Sequence, residues 1–287
     1  MFFPEKGKHP FLRRNTRILL PSPILVKEID RNQRLKKLPV LIPFESMKDF
    51  LLEKTVPKRP KEVSPCILVQ ARTGSTRLPG KVLLPLGKTS MLAFLVERLK
   101  PTSIPITIAT TVLEKDDLIV QCGNECSVPV FRGSEEDVLD RFYKAANTFD
   151  TIIRITADCP LTDPDIITKA LDLFYHLKVD YLSNTLERTY PRGLDVEIFS
   201  FKSLEKAAAA ATSLYDREHV TSYITSHPDQ FQLANFIDKE DMHDWRLTVD
   251  TKEDLDLVRR LVEQGVGSYL ELKEILKKNP EWKKINS

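Results

Sequence analysis

The chain has 287 residues, 41% hydrophobic and 29% charged, with 43 Lys and Arg against 41 Asp and Glu. No stretch approaches the ~20 consecutive apolar residues that span a bilayer, and the opening MFFPEKGKHPFLRR lacks the apolar run of a signal peptide. The composition therefore argues against a membrane-spanning or secreted chain and for a globular one, long enough for one large α/β domain or two small ones.

Charge is unevenly spread. Residues 1–62 carry 15 Lys and Arg against 7 Asp and Glu, and eight prolines cut their short apolar pieces. This reads as a basic extension that drapes on the core or is partly disordered, and as a solvated tail rather than an arm for nucleic acid or a membrane surface. Residues 63–287 form the folded domain. Cys66, Cys122, Cys126 and Cys159 show no paired framework, and Cys122 and Cys126 lack the second pair that a zinc site needs, so reduced thiols in the cytoplasm are expected.

From residue 64 onward apolar strands and amphipathic helices alternate. Cys66–Gln70 is the first predicted strand. Ser90 is placed to cap a helix whose apolar positions, Met91, Leu92, Leu95, Val96 and Leu99, recur at helical spacing. A strand follows at Ile104–Ala109, a helix at Lys115–Glu125 and a strand at Val128–Phe131. Ser134 is expected to open a helix with Glu135, Glu136 and Asp137 in its first turn. Thr151–Thr156 is the fourth strand and Pro164–Leu177 the next helix. Such alternation predicts a mainly parallel sheet covered on both faces, with ligands bound beyond the carboxyl ends of its strands.

That rule selects two loops. After the first strand comes QARTGSTRLPGKV, residues 70–82, which superficially resembles the phosphate-binding loop of nucleotide hydrolases. Five residues separate Gly74 from Gly80 where that loop has four, and Val82 stands where it needs a magnesium-binding hydroxyl. What remains is another kind of polyanion site: Arg72, Arg77 and Lys81, with the N–H groups of residues 73–76 and two glycines that permit close approach. A triphosphate suits it.

After the fourth strand comes Ala157-Asp158-Cys159-Pro160, where Pro160 fixes the turn and turns the Asp158 carboxylate outward. One carboxylate rarely holds Mg²⁺ without help. Asp250, closing the apolar Leu247–Val249 before a helix, is the second candidate, although Asp250 or Thr251 also suits a helix cap. In Tyr190-Pro-Arg-Gly-Leu-Asp-Val-Glu197, Arg192 can meet an acidic substrate, and Asp195 and Glu197 lie on one side of an extended segment, a pattern that a structural hairpin would give equally. Arg217 starts a helix further on. No Ser-His-Asp or Cys-His set is visible, so covalent catalysis has no candidate.

These residues carry a resemblance. ARTGSTRLPGKVLLPLGKTSML is similar to the opening of the cytidylyltransferase family that activates acidic sugars, among them the synthetases of CMP-ketodeoxyoctonate and CMP-sialic acid. Its branch of spore coat polysaccharide biosynthesis protein F resembles this chain further in VFRGSEEDVLDRFYKAA, RITADCPLTDPDII, YPRGLDVEIF, REHVTSYI and LTVDTKEDLDLV. The similarity covers about residues 64–262. It implies a three-layer α/β fold of the nucleotide-diphospho-sugar transferase, or glycosyltransferase-A, type. It further implies magnesium-dependent attack of a sugar oxygen on the α-phosphate of CTP, with release of pyrophosphate, for surface polysaccharide biosynthesis.

By the same resemblance Arg72, Ser75, Arg77 and Lys81 hold the triphosphate within a motif that also contains Ala71 and Gly74, while Asp158 and Asp250 hold the metal. Arg72, Arg77, Lys81 and Asp158 form the catalytic set. Arg192 or Arg217 would bind the carboxylate of a sugar acid, beside Asp195 and Glu197, and relatives are commonly homodimers. Better-characterised members have Asp-Glu-Pro where this chain has Asp-Cys-Pro, which leaves the sugar open. Two rival readings are a glycosyltransferase that consumes a finished nucleotide sugar on a similar fold, and a non-catalytic binding homologue.

Overall fold

The computed structural model describes the backbone of Val40–Pro43 and residues 64–286; the remainder of the basic extension, and what was expected of it, lies outside the described residues. An eight-stranded sheet runs through the middle. Its strands are β1 (Val40–Pro43), β2 (Pro65–Gln70), β5 (Ile106–Thr111), β6 (Val130–Gly133), β7 (Thr151–Thr156), β8 (Tyr181–Ser183), β9 (Glu197–Ser200) and β10 (Leu233–Ile237), while β3 (Pro85–Leu86) and β4 (Thr89–Ser90) form a separate small hairpin.

The order across the sheet is β1-β10-β8-β9-β7-β2-β5-β6. Neighbours are parallel except at β9, which runs against both β7 and β8. This reversal carries a consequence for function. Because β9 points the other way, the segment entering it at Glu197 lies at the same end as the segment leaving β7, so residues 190–196 are delivered to the side where the parallel strands finish.

The alternation within β2 explains the three layers. Ile67 and Val69 face one core, which is completed by α1 (Met91–Leu99), α4 (Pro164–Leu177), α8 (Lys252–Glu263) and α9 (Tyr269–Lys278). Cys66 and Leu68 face the other, completed by α3 (Val138–Ala145), α5 (Phe201–Ala210) and α7 (Ser222–Ser226). All four β2 side chains are fully buried, as expected of a central strand covered on both sides. Truncating Leu68 to Ala would cost about 2–5 kcal/mol.

Helix starts follow the capping residues. Ser90 Oγ accepts from Ala93 N–H at 3.2 Å to start α1, and Asp163, with Pro164 at the first helical position, accepts from Asp165 and Ile166 N–H to start α4. Thr251, not Asp250, caps α8 in a reciprocal box with Asp254, which leaves the Asp250 carboxylate available for other partners.

Four sequence expectations shift. The strand placed at Ile104–Ala109 begins at Ile106 and that placed at Val128–Phe131 begins at Val130, because Pro105 and Pro129 lack the N–H that a ladder uses. The helix placed at Lys115–Glu125 opens as a 3₁₀ turn, Glu114–Asp116, before α2 (Asp117–Glu125). Ser134 does not cap α3. Its Oγ closes a turn on Asp137 N–H, and Asp137 caps the helix through Asp140 N–H, so α3 starts at Val138.

Candidate active site

β2 and β7 are adjacent and in register, Gln70 opposite Thr156, so the loops that follow them emerge side by side. The Ala157 N–H donates to the Gln70 carbonyl at 2.9 Å, continuing the ladder to the residue before Asp158. The Asp158 carbonyl in turn accepts the Val249 N–H at 2.8 Å, which fixes Asp250 next to it. Sequence-distant acids are thereby brought to one place by backbone pairing.

Into that place the first loop delivers a cation. Gly80, at φ 66°, makes the left-handed turn that starts a 3₁₀ turn at Lys81, a conformation glycine adopts without steric cost. The Lys81 ammonium donates to Asp158 Oδ2 and to Asp250 Oδ1, each at 2.8 Å, with its side chain only 10% exposed. Burial alone would lower its pKa, but Asp158 and Asp250 outweigh burial and the net shift is upward. On Asp250 burial likewise works against the charge, and Lys81, Arg77 and Arg246 together hold the carboxyl below its ordinary value.

The second oxygen of Asp250 receives Arg77 Nη2 at 2.9 Å and Arg246 Nη2 at 3.1 Å. Arg246 is itself fixed by Asp254, which is 1% exposed and also accepts the Asp250 and Thr251 N–H groups. Asp158 and Asp250 share one ammonium between them, and such an arrangement suits a divalent ion completed by phosphate oxygens. Among the described residues no cluster of three or more His, Cys, Asp or Glu could hold a metal unaided. Asp158 and Asp250 would offer a metal two hard carboxylate oxygens, a donor set that suits Mg²⁺ if a polyanion fills further positions.

The loop itself differs from the expectation of four open N–H groups. Thr73 N–H is taken by Asp116 at 2.8 Å and Ser75 N–H by the Thr73 carbonyl at 2.8 Å, and Ala71 N–H by the Ala109 carbonyl at 3.2 Å. Ser75 Oγ accepts Leu78 N–H at 3.4 Å. Gly74 lies against the Lys115–Glu135 ion pair, where an added Cβ would stand 3.0 Å from a Glu135 oxygen, a contact that a small shift of those side-chain ends relieves. Arg72 and Arg77 are exposed on the loop.

The remaining candidates have separate settings. Arg192 pairs through its backbone with the segment before Asp250: its N–H meets the Trp245 carbonyl at 2.9 Å and its carbonyl the Leu247 N–H at 2.6 Å. Its side chain is exposed, on a segment that pairs with the stretch leading to Asp250. Asp195 and Glu197 do not form one open face. Asp195 is clasped by Arg188, and Glu197 is buried, accepting from Arg154, Tyr181 and Thr221. Arg217 is tied bidentately to Asp137 and to the Ala208 carbonyl, on the side of α3 and α5.

Sequence reasoning passed over Arg246, Asp116, Arg154 and Arg188. Arg154 carried the clearest signal, a charge inside the apolar strand TIIRIT; Arg246 stands four residues before Asp250 in the same run of sequence. Cys159, in the Asp-Cys-Pro turn, is 3% exposed against Thr156 and Thr248, and burial pushes its thiol well above the usual range. It is a packing residue behind Asp158.

A mainly parallel sheet between two helical layers, with a basic loop and two strand-end acids joined at one lysine, defines a nucleotidyltransferase-like centre. Residues 66–282 match the cytidylyltransferase family profile. The chain is 34% identical over 230 residues to spore coat polysaccharide biosynthesis protein SpsF of Bacillus subtilis, covering 75% of this chain and 94% of that one. It is 41% identical over 232 residues to an uncharacterized protein of Methanocaldococcus jannaschii, covering 77% and 93%. The solved structure of a cytidylyltransferase from Leptospira borgpetersenii superposes with a TM-score of 0.74 at 36% identity, covering 79% of this chain and 98% of that one. A CMP-2-keto-3-deoxy-manno-octonic acid synthetase solved with CTP shares the fold, with a TM-score of 0.54 at 17% identity, covering 71% and 100%. The chain belongs to the cytidylyltransferase family.

Proposed function

We propose that this protein transfers CMP from CTP to an acidic sugar, with Mg²⁺, releasing pyrophosphate and supplying an activated sugar for surface polysaccharide. The observation that carries this reading is the Lys81 ammonium shared between Asp158 and Asp250 at the mouth of the sheet. The names of its relatives, a spore coat polysaccharide protein and 3-deoxy-manno-octulosonate cytidylyltransferases, support it.

In this reading Arg72, Ser75, Arg77 and Lys81 hold the triphosphate, with Ala71 and Gly74 shaping the loop, and Asp158 and Asp250 hold Mg²⁺. The ion, when bound, neutralises charge on the phosphates. Reaction at phosphorus depends mainly on positioning and on such neutralisation, so no nucleophilic side chain is required. A sugar hydroxyl gives its proton to solvent and forms the new bond to the α-phosphorus as the bond to the bridging oxygen breaks and pyrophosphate leaves. Arg192, whose side chain is exposed, binds the sugar carboxylate, while Asp195, held by Arg188, and Glu197, buried against Arg154, shape the segment that carries it. Arg217, held by Asp137, supports α3 instead.

The protein is taken to work in the cytoplasm, as a homodimer, through a domain at residues 63–287, with CTP and a sugar rather than nucleic acid as its partners. The test is pyrophosphate release from CTP with a panel of sugar acids that includes 3-deoxy-manno-octulosonate, preceded by thermal shifts with the four nucleoside triphosphates and Mg²⁺. Native-state binding at a hundred times Kd adds about 2.7 kcal/mol of stability. CTP should shift the melt and the other three should not; indifference to all four would sink the reading.

A further inference from the structure

One buried carboxylate near this centre has no part in the scheme above. Asp116 ends the 3₁₀ turn after β5 and has no exposed surface. Its Oδ1 accepts the Thr73 N–H at 2.8 Å and the Thr73 Oγ1 hydroxyl at 2.6 Å, and its Oδ2 accepts the Thr111 hydroxyl. Thr73 then spends its carbonyl on the loop, accepting Ser75 N–H at 2.8 Å and Gly80 N–H at 3.1 Å. Every hydrogen-bonding group of Thr73 is committed to shape. Its N–H and hydroxyl fasten the loop to the 3₁₀ turn after β5, and its carbonyl closes the turn that ends at Gly80, immediately before Lys81.

Burying an anion is costly unless it is well hydrogen-bonded, and no ion pair to Asp116 is formed among the described residues. Burial works against the charged form, yet the bonds from Thr111 and Thr73 outweigh burial and hold the carboxyl below its ordinary value. A neutral side chain would anchor a surface loop at lower cost. The charge buys strength where the loop needs it: hydrogen bonds to an ionised acceptor are shorter and roughly twice as strong as neutral ones.

We propose that Asp116 is a positioning residue for nucleotide binding: through Thr73 it sets the loop from Arg72 to Lys81 in its binding shape before CTP arrives. The inference rests on the CTP reading above and adds to it the residue that preorganises the loop. A loop with glycines at 74 and 80 would otherwise lose conformational freedom on binding, and affinity falls by what that ordering costs.

The test uses the full chain and calorimetric titration with CTP and Mg²⁺, alongside thermal melts without ligand. Thr73→Val keeps the backbone bond to Asp116 and removes the hydroxyl; it should bind CTP about tenfold more weakly, the scale of one lost hydrogen bond to a charged group. Thr73→Ser restores the hydroxyl and should return to within about twofold of wild type. Asp116→Asn keeps an oxygen for Thr73 while the Thr111 hydroxyl turns to accept from the new amide, so it should fall between Thr73→Ser and Asp116→Ala, the weakest binder. If Asp116→Ala does not fold, the Thr73 pair decides. CTP affinity unchanged across the variants, with only the melting temperature lowered, overturns the positioning role and leaves Asp116 structural. A wild-type protein that binds none of the four triphosphates overturns the CTP reading and this inference together.

Discussion

Lys81 and Asp250 lie far apart in sequence, yet the lysine ammonium stands 2.8 Å from the Asp250 carboxylate while touching Asp158 at the same distance. One cation thereby ties the first loop to two strand-end acids. A divalent ion bound there would have to compete with it for those oxygens. Removing the amine should therefore improve the binding of a metal offered alone. Lys81→Met is expected to bind Mn²⁺ without nucleotide about tenfold more tightly than wild type, ~1.4 kcal/mol, measured by electron paramagnetic resonance of free Mn²⁺. Equal affinities would separate the lysine from the metal site.

Asp158→Asn removes one of the two acids while keeping its size and its backbone bond to Val249. The side chain is 24% exposed, so the fold should survive. Pyrophosphate release from CTP should fall by at least about a hundredfold, the scale of lost electrostatic stabilisation in a preorganised site, with an unchanged circular-dichroism spectrum. Full activity in this variant would remove Asp158 from the metal.

Gly193 has φ 101°, and an added Cβ would stand 2.6 Å from the Leu247 carbonyl carbon and the Thr248 nitrogen. Gly193→Ala should push the Arg192 segment off the Trp245–Leu247 backbone that leads to Asp250. The strained conformation alone costs about 1–3 kcal/mol, to be read in urea melts. A drop in activity should accompany it.

Glu197 and Arg154 form a buried pair, with Tyr181 and Thr221 donating to the acid and Gln70 accepting from the arginine. Burial opposes the charge on Glu197, but Arg154 and the two hydroxyls outweigh it and hold the carboxyl below its ordinary value. A depressed folded pKa contributes stability above the unfolded value of about 4.3, and that stability is lost as pH falls through the folded value. Glu197→Gln should cost about 3–5 kcal/mol at pH 7 by stranding Arg154, and its urea midpoint should change less than that of wild type between pH 7 and pH 3.

Much of this was legible in the sequence where a local rule operates. The bounds of β7 and α4 follow from an apolar run and from Asp163-Pro164 at a helix start, and Lys81, Asp158 and Asp250 stand out because each follows an apolar run or a glycine turn. Partnerships were not legible, since their cause is the sheet. Asp254 looks like a first-turn helix acid, and it is one, but it also grips Arg246 and through it Asp250. Asp195 and Glu197 share a side in an extended chain; the actual strand starts only at Glu197, after Asp195 has been claimed by Arg188. The fastening of Thr73 to Asp116 spans 43 positions and leaves no trace in either neighbourhood.

The family match begins at residue 66, yet Val40–Pro43 is hydrogen-bonded along β10 in parallel register. A stretch outside the family match thus seals the outermost rung of the sheet. Cutting the chain back to the stretch that matches the family would bare the main-chain donors and acceptors of Leu233–Ile237, an invitation to strand-to-strand clumping. A shortened form prepared for crystallisation should be the stickier of the two.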